Sequence, residues 1–140
     1  MNTNISMTAG EEVAPLEQAA KLVAIGGRLL IAILFILAGI TKVIDAKPFL
    51  NHMTEFGVPT FLLPAVIVLE LGAGLALALG WRIREAAAAL ALFCVLTAVI
   101  FHHQVWIGAE RTSFFKDLAI AGGLFAIAAH ALAQSQKKNV

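Results

Sequence analysis

The chain has 140 residues, 60% of them hydrophobic and 14% charged, against about 45–50% apolar and about 25% charged in an ordinary soluble domain. A water-soluble core cannot absorb that excess, so most of the surface must face lipid. The formal net charge of +1, with no basic run and no acidic tail, excludes nucleic acid as an electrostatically captured partner.

Residues 1–19 carry Glu11, Glu12 and Glu17 and no basic residue, the reverse of a secretory leader with its positive start. They read as a polar tail, with a short interfacial helix near residues 11–20. Four apolar stretches follow, and the expected spans are 22–41, 58–80, 86–103 and 116–133. About 20 residues of helix cross a hydrocarbon core of about 30 Å. Lipid offers no partner to a free amide, so each segment must satisfy its own backbone as a helix. The expectation is an all-α integral membrane four-helix bundle, one domain over 20–134 with a polar tail at 135–140.

Arg28 interrupts the first stretch and Glu70 the second; the third has no charge, and the fourth holds only His130. Pro59 suits a first-turn position, whereas Pro64 either kinks the second span or marks its true start. The link at 81–85 is short enough to make the second and third spans antiparallel neighbours. Lys21, Arg82, Arg84, Lys137 and Lys138 flank one side; Lys42, Lys47, Arg111 and Lys116 flank the other. Five against four is a small excess that places both termini in the cytoplasm. Cys94 is the lone cysteine, so no internal disulfide or redox pair can form, and within an apolar run it reads as a small hydrophobe.

Charges at membrane depth cost about 2.5–3.5 kcal/mol each near the centre and normally face the bundle interior with a partner. Counted from Lys21, Arg28 lies roughly 10 Å into the membrane, and counted from Gly80, Glu70 lies roughly 15 Å in from the same side. A buried Arg28–Glu70 pair is therefore expected. It reads either as a polar clamp between helices or as a site where Glu70 carries a proton or meets a ligand. Ala73, Gly74 and Ala78 share the face of Glu70. Gly72, Gly74, Gly80, Gly122 and Gly123 read as packing devices that let backbones approach. At the other ends of the spans, Lys42, His102, His103, Lys116 and Asp117 form a candidate rim for a polar head group such as a quinone ring. Adjacent histidines cannot both point inward from one helix, and no carboxylate stands at a fixed ligand spacing, so no metal site is expected.

These residues, taken in order, resemble the DoxX family: Arg28, Ala-Gly-Ile-Thr-Lys at 38–42, Phe49, Gly57-Val-Pro59, Leu69-Glu70-Leu-Gly72, Leu79-Gly80, Arg84, His102-His103 and Phe115-Lys116-Asp117-Leu118. The resemblance covers about residues 22–133 and rests on the ordered set, since no single motif is very specific. It implies a small four-helix protein of the bacterial inner membrane, with relatives that serve a thiosulfate:quinone oxidoreductase or redox-defence enzymes. Arg28, Lys42, Glu70, His102 and Lys116 match the family's polar positions, while Asp117 stands where relatives often carry Asn.

The expected role is an accessory or quinone-interacting subunit of a membrane oxidoreductase system. No nucleotide loop, haem motif or redox pair is encoded, so electrons would pass through a bound quinone or a partner's cofactor. The chain does not read as a stand-alone enzyme. Expected partners are the bilayer, a redox-enzyme subunit and further copies of the chain. Two rivals remain: a small proton-coupled transporter with Glu70 as coupling carboxylate, and a purely structural anchor or assembly factor.

Overall fold

The computed structural model describes the backbone of residues 4–137 and the side-chain surroundings of residues 13–137. The outermost residues of both expected polar tails, 1–3 and 138–140, lie outside the described residues, Lys138 among them. Five α-helices make up the described residues: α1 (Asn4–Ile44), α2 (Lys47–Glu55), α3 (Leu63–Leu79, preceded by a 3₁₀ turn, Thr60–Leu62), α4 (Ile83–Phe101) and α5 (Gly108–Lys137). Four of these segments, all but α2, are long and apolar enough to cross a membrane. No strand occurs among the described residues.

The helices outrun the spans read from hydropathy. α1 has 41 residues, about 60 Å at 1.5 Å per residue, so the segment expected as a polar tail is helical and continuous with the first span. Pro15, inside the helix, withholds one amide from the ladder. α5 begins at Gly108 rather than 116, because the polar segment before the span is itself helical, with the Thr112 hydroxyl bonded to the Gly108 carbonyl at 3.1 Å. α4 begins three residues before the expected 86. Its alanine-rich start is strongly helix-forming, and Glu85 places an acid in the first turn.

The segment between the first two spans holds a helix that hydropathy alone missed. α2 starts with Pro48 in its first turn and buries Met53. Its signature is Phe49, Met53 and Phe56 at helical spacing after a first-turn proline. It stops at Gly57, whose φ of 68° is left-handed, while the Val58 amide returns to the Met53 carbonyl at 2.8 Å. Pro64 marks the start of α3 and makes no kink, since it stands in the first turn, where its missing N–H has no helical partner to lose. α3 ends at Gly80 (φ 74°), with the Trp81 amide on the Ala76 carbonyl at 2.8 Å. This tight turn makes α3 and α4 antiparallel neighbours.

The most extensive packing is α4 on α5 and α1 on α3. Ala87, Ala91 and Ala98 form the buried small face of α4, and Leu77, Leu90 and Leu124 fill the centre at full burial. α1 and α3 approach most closely at two glycines. A Cβ on Gly74 would stand 3.0 Å from Ile36 Cγ1 and 3.3 Å from the Ala32 carbonyl oxygen. One on Gly39 would stand 2.7 Å from the Leu71 side chain. The other glycines differ: Gly72 and Gly122 meet nothing within 4 Å and are not packing devices within this fold.

Gly74→Val is therefore expected to cost about 1–3 kcal/mol through overpacking, whereas Gly72→Val stays within about 0.5 kcal/mol. Thermal unfolding of both proteins in one detergent checks this. Equal midpoints would mean that Gly74 does not set the α1–α3 distance.

Candidate functional site

Antiparallel packing at Gly39 and Gly74 fixes the register of α1 on α3, and the register decides which cation meets Glu70. Leu71 and the Glu70 Cβ oppose Gly39, Ile36 opposes Gly74, and the Arg28 guanidinium comes within 3.4 Å of the place where a Gly80 Cβ would be. Arg28 thus lies level with the end of α3, ten residues, or about 15 Å of helix, from Glu70. The expected Arg28–Glu70 pair does not form. Depth counted from Lys21 misplaced Arg28, because Lys21 lies within a helix that continues well beyond it.

Lys42 takes that place. A helical side chain leans toward the N-terminus of its own helix, so Lys42, near the end of α1, points back into the bundle. Its Nζ lies 3.4 Å from the Ala38 carbonyl and 2.9 Å from each oxygen of Glu70. The aligned hydrogen bond goes to Oε1; Oε2 is in ion-pair contact but receives no hydrogen bond. The Glu70 side chain is 4% exposed and that of Lys42 13%. The ammonium also sits 4.6 Å from the centre of the Phe49 ring on α2, a cation–π contact. Lys42 is thus a buried partner and no mere rim group.

The pair lies on the wall of a cavity of about 610 Å³. Leu34 and Phe35 of α1, Leu63 and Val66 of α3, Phe93 and Ile100 of α4 and Ile120 of α5 supply apolar wall, and α2 closes over it with Phe49, His52 and Met53. Cys94 also lines it while packing into the buried core. A second polar group stands at the far ends of α4 and α5. His102 Nδ1 is 2.8 Å from Glu110 Oε2, and its Nε2 is 3.9 Å from Asp117 Oδ2. The Thr97 hydroxyl bonds the Cys94 carbonyl at 3.0 Å and approaches Asp117 at 3.5 Å. A carboxylate only accepts, so the His102–Glu110 bond runs from Nδ1–H, which leaves Nε2 on the side of Asp117.

Of the residues named from sequence, the cavity gathers Lys42, Glu70, His102, Lys116 and Asp117. Arg28 and His103 are not among its lining. His103 turns outward and meets the Ile100 carbonyl at 3.1 Å, since consecutive residues at a helix end point about 100° apart. His52 was not anticipated. It stacks on Phe101 at 5.0 Å and lies 4.8 Å from Phe56, fastening α2 to the end of α4.

Chemically, the chamber combines a large apolar volume with a few convergent polar groups, the usual make-up of a small-molecule site. Lys42, Lys116 and His102 can donate; Glu70 and Asp117 can accept.

Comparison with known proteins places the chain among related sequences. The family model described as DoxX matches residues 23–103. The chain is 42% identical over 113 residues to the inner membrane protein YqjF of Escherichia coli (strain K12), covering 81% of this chain and 85% of that one. It is 29% identical over 109 residues to the inner membrane protein YphA of the same organism, covering 72% of this chain and 77% of that one. No solved structure matches the chain.

Proposed function

The chain belongs to the DoxX family and is a multi-pass protein of the inner membrane; from that premise we propose that its cavity binds the head group of a quinone-class carrier and that the protein serves a membrane oxidoreductase system as an accessory subunit. The observation that carries this reading is the pairing of a buried ammonium–carboxylate couple with a histidine–carboxylate couple in one cavity of about 610 Å³ with largely apolar walls.

The residues present fit such a group. A quinone ring is flat and apolar on its faces and carries an acceptor oxygen at each end. Lys42 would hold one carbonyl and His102 or Lys116 the other, with Phe49 and Phe93 against the ring. When bound, the quinone supplies two-electron, two-proton redox chemistry that no side chain here can supply. The chain's own part is to exclude water, orient the ring, and hold protons at His102 Nε2 and at the Glu70 carboxyl. The prenyl tail would leave between helices into lipid, as expected for a ligand that arrives from the bilayer.

The transport reading asks for access from both sides. The lining residues run from the α2 end only as far as Leu34, Glu70, Phe93 and Ile120, and none comes from the half that holds Arg28 and Gly80. That asymmetry favours a one-sided binding chamber.

Native mass spectrometry of the gently purified protein tests the proposal. A retained quinone, or a co-purifying oxidoreductase, is expected. A chain that carries phospholipid alone, and that moves solute across liposomes without any partner, would overturn the proposal in favour of transport.

A further inference from the structure

The opposite end of the bundle holds a second polar constellation that the cavity chemistry leaves unused. Arg28, on the first membrane-spanning helix, has its guanidinium against Gly80, and its Nε is buried without a hydrogen-bond partner. No described carboxylate lies within ion-pair distance of it. A guanidinium N–H buried without an acceptor is costly, so this one calls for an anion.

Its surroundings favour one. Beside Gly80 lies a groove of about 360 Å³ lined by Ile83, Arg84 and Glu85 at the start of α4 and by Gln134 and Ser135 near the end of α5. Arg84 and Arg82 both contact Glu85, at 2.7 and 3.5 Å, so one carboxylate serves two guanidiniums. Lys21 on α1 and Lys137 in the last turn of α5 add to this end, against Glu85 and the α1 acids Glu17, Glu12 and Glu11, the last two furthest out along the helix. The charge is therefore positive in excess. No side chain caps the N-terminus of α4, where unpaired amides and the helix dipole both favour an anion. Arg28 is not itself part of the groove lining; its guanidinium stands 3.4 Å from where a Cβ on Gly80 would be, and Gly80 lines the groove. Around it, Leu79, Trp81 and Val23 are exposed and apolar, a surface for acyl chains at interfacial depth.

We propose that this end of the bundle is a binding site for the phosphodiester head group of an anionic phospholipid, held by Arg28 and Arg84 across Gly80. The phosphodiester supplies the partner that Arg28 lacks, and the bilayer presents it at the depth where helices α3 and α4 turn. Basic pockets between membrane helices suit such head groups.

The test is native mass spectrometry of the full chain from micelles containing phosphatidylglycerol and phosphatidylcholine with identical acyl chains. The parent protein is expected to retain phosphatidylglycerol preferentially. Arg28→Gln and Arg84→Gln should each weaken that retention about fivefold. Arg28→Lys should keep most of it, and Arg111→Gln, the same charge change at the other end, should leave it intact. Arg84 is half exposed, so its variant keeps the test decisive if Arg28→Gln fails to fold. Equal retention of the two lipids, or equal losses from Arg84→Gln and Arg111→Gln, would overturn the proposal. So would displacement of phosphatidylglycerol by millimolar inorganic phosphate, which would mark a free-phosphate site instead.

Discussion

Lys42→Met is expected to destabilise the bundle by about 3–5 kcal/mol, because it leaves the Glu70 carboxylate buried without a counter-charge. Glu70→Leu should cost a similar amount by stranding the ammonium. The double variant Lys42→Met/Glu70→Leu should recover most of the loss, since two apolar side chains of similar volume remove both desolvation penalties together. Arg28→Met provides the contrast. Arg28 has no carboxylate partner among the described residues, and its guanidinium lies at the α3–α4 turn, so its removal should cost no more than about 1 kcal/mol. Unfolding titrations of the four proteins in one detergent give the comparison. If Arg28→Met proved as damaging as Lys42→Met, or if the double variant were no better than either single one, Lys42–Glu70 would not be the pair that joins α1 to α3.

A second large effect concerns the occupant of the cavity. Cys94 is the only cysteine, and it lines the chamber, so it reports from inside on whatever fills the space. A short-chain quinone analogue is expected to slow modification of Cys94 by a small membrane-permeant maleimide. His102→Ala, which removes one carbonyl donor, and Glu70→Gln, which unseats the Lys42 ammonium that holds the other carbonyl, should each raise the analogue concentration needed for protection by about ten- to a hundredfold. That is the worth of a hydrogen bond to a charged group, about 1.5–3 kcal/mol. His103→Ala should change nothing, because that ring faces away. Protection that is indifferent to both cavity variants would show that the analogue binds elsewhere. No protection at any concentration would remove the quinone from the cavity altogether.

Much of this was legible without coordinates. The four spans and the inward-facing Glu70 follow from residue type and spacing along one segment, whereas Pro64 allowed either a kink or a helix start and the fold decided for the start. α2 was legible too, in Pro48 and the Phe49–Met53–Phe56 spacing, but a hydropathy reading passes over nine polar-leaning residues between spans. His52 carried no signal in the chain, because its value lies in stacking on Phe101, a residue far along the sequence on another helix.

By itself the sequence determined that the protein crosses the membrane four times as helices, that it carries a carboxylate at membrane depth, and that its ordered polar residues are those of the DoxX family. Those properties are local or additive: apolar length, backbone self-satisfaction and residue order survive any rearrangement of one helix against another. Only the tertiary structure decided that Glu70 meets Lys42 instead of Arg28, that α2 folds over the cavity, and that His102 faces inward while His103 does not. Each depends on helix register, and register is the outcome of many weak contacts competing along two rods. Here the contest is settled where Gly39 and Gly74 let α1 and α3 approach closely, and a shift of a single turn would part Glu70 from Lys42 without bringing Arg28, about 15 Å away along the helix, into its place.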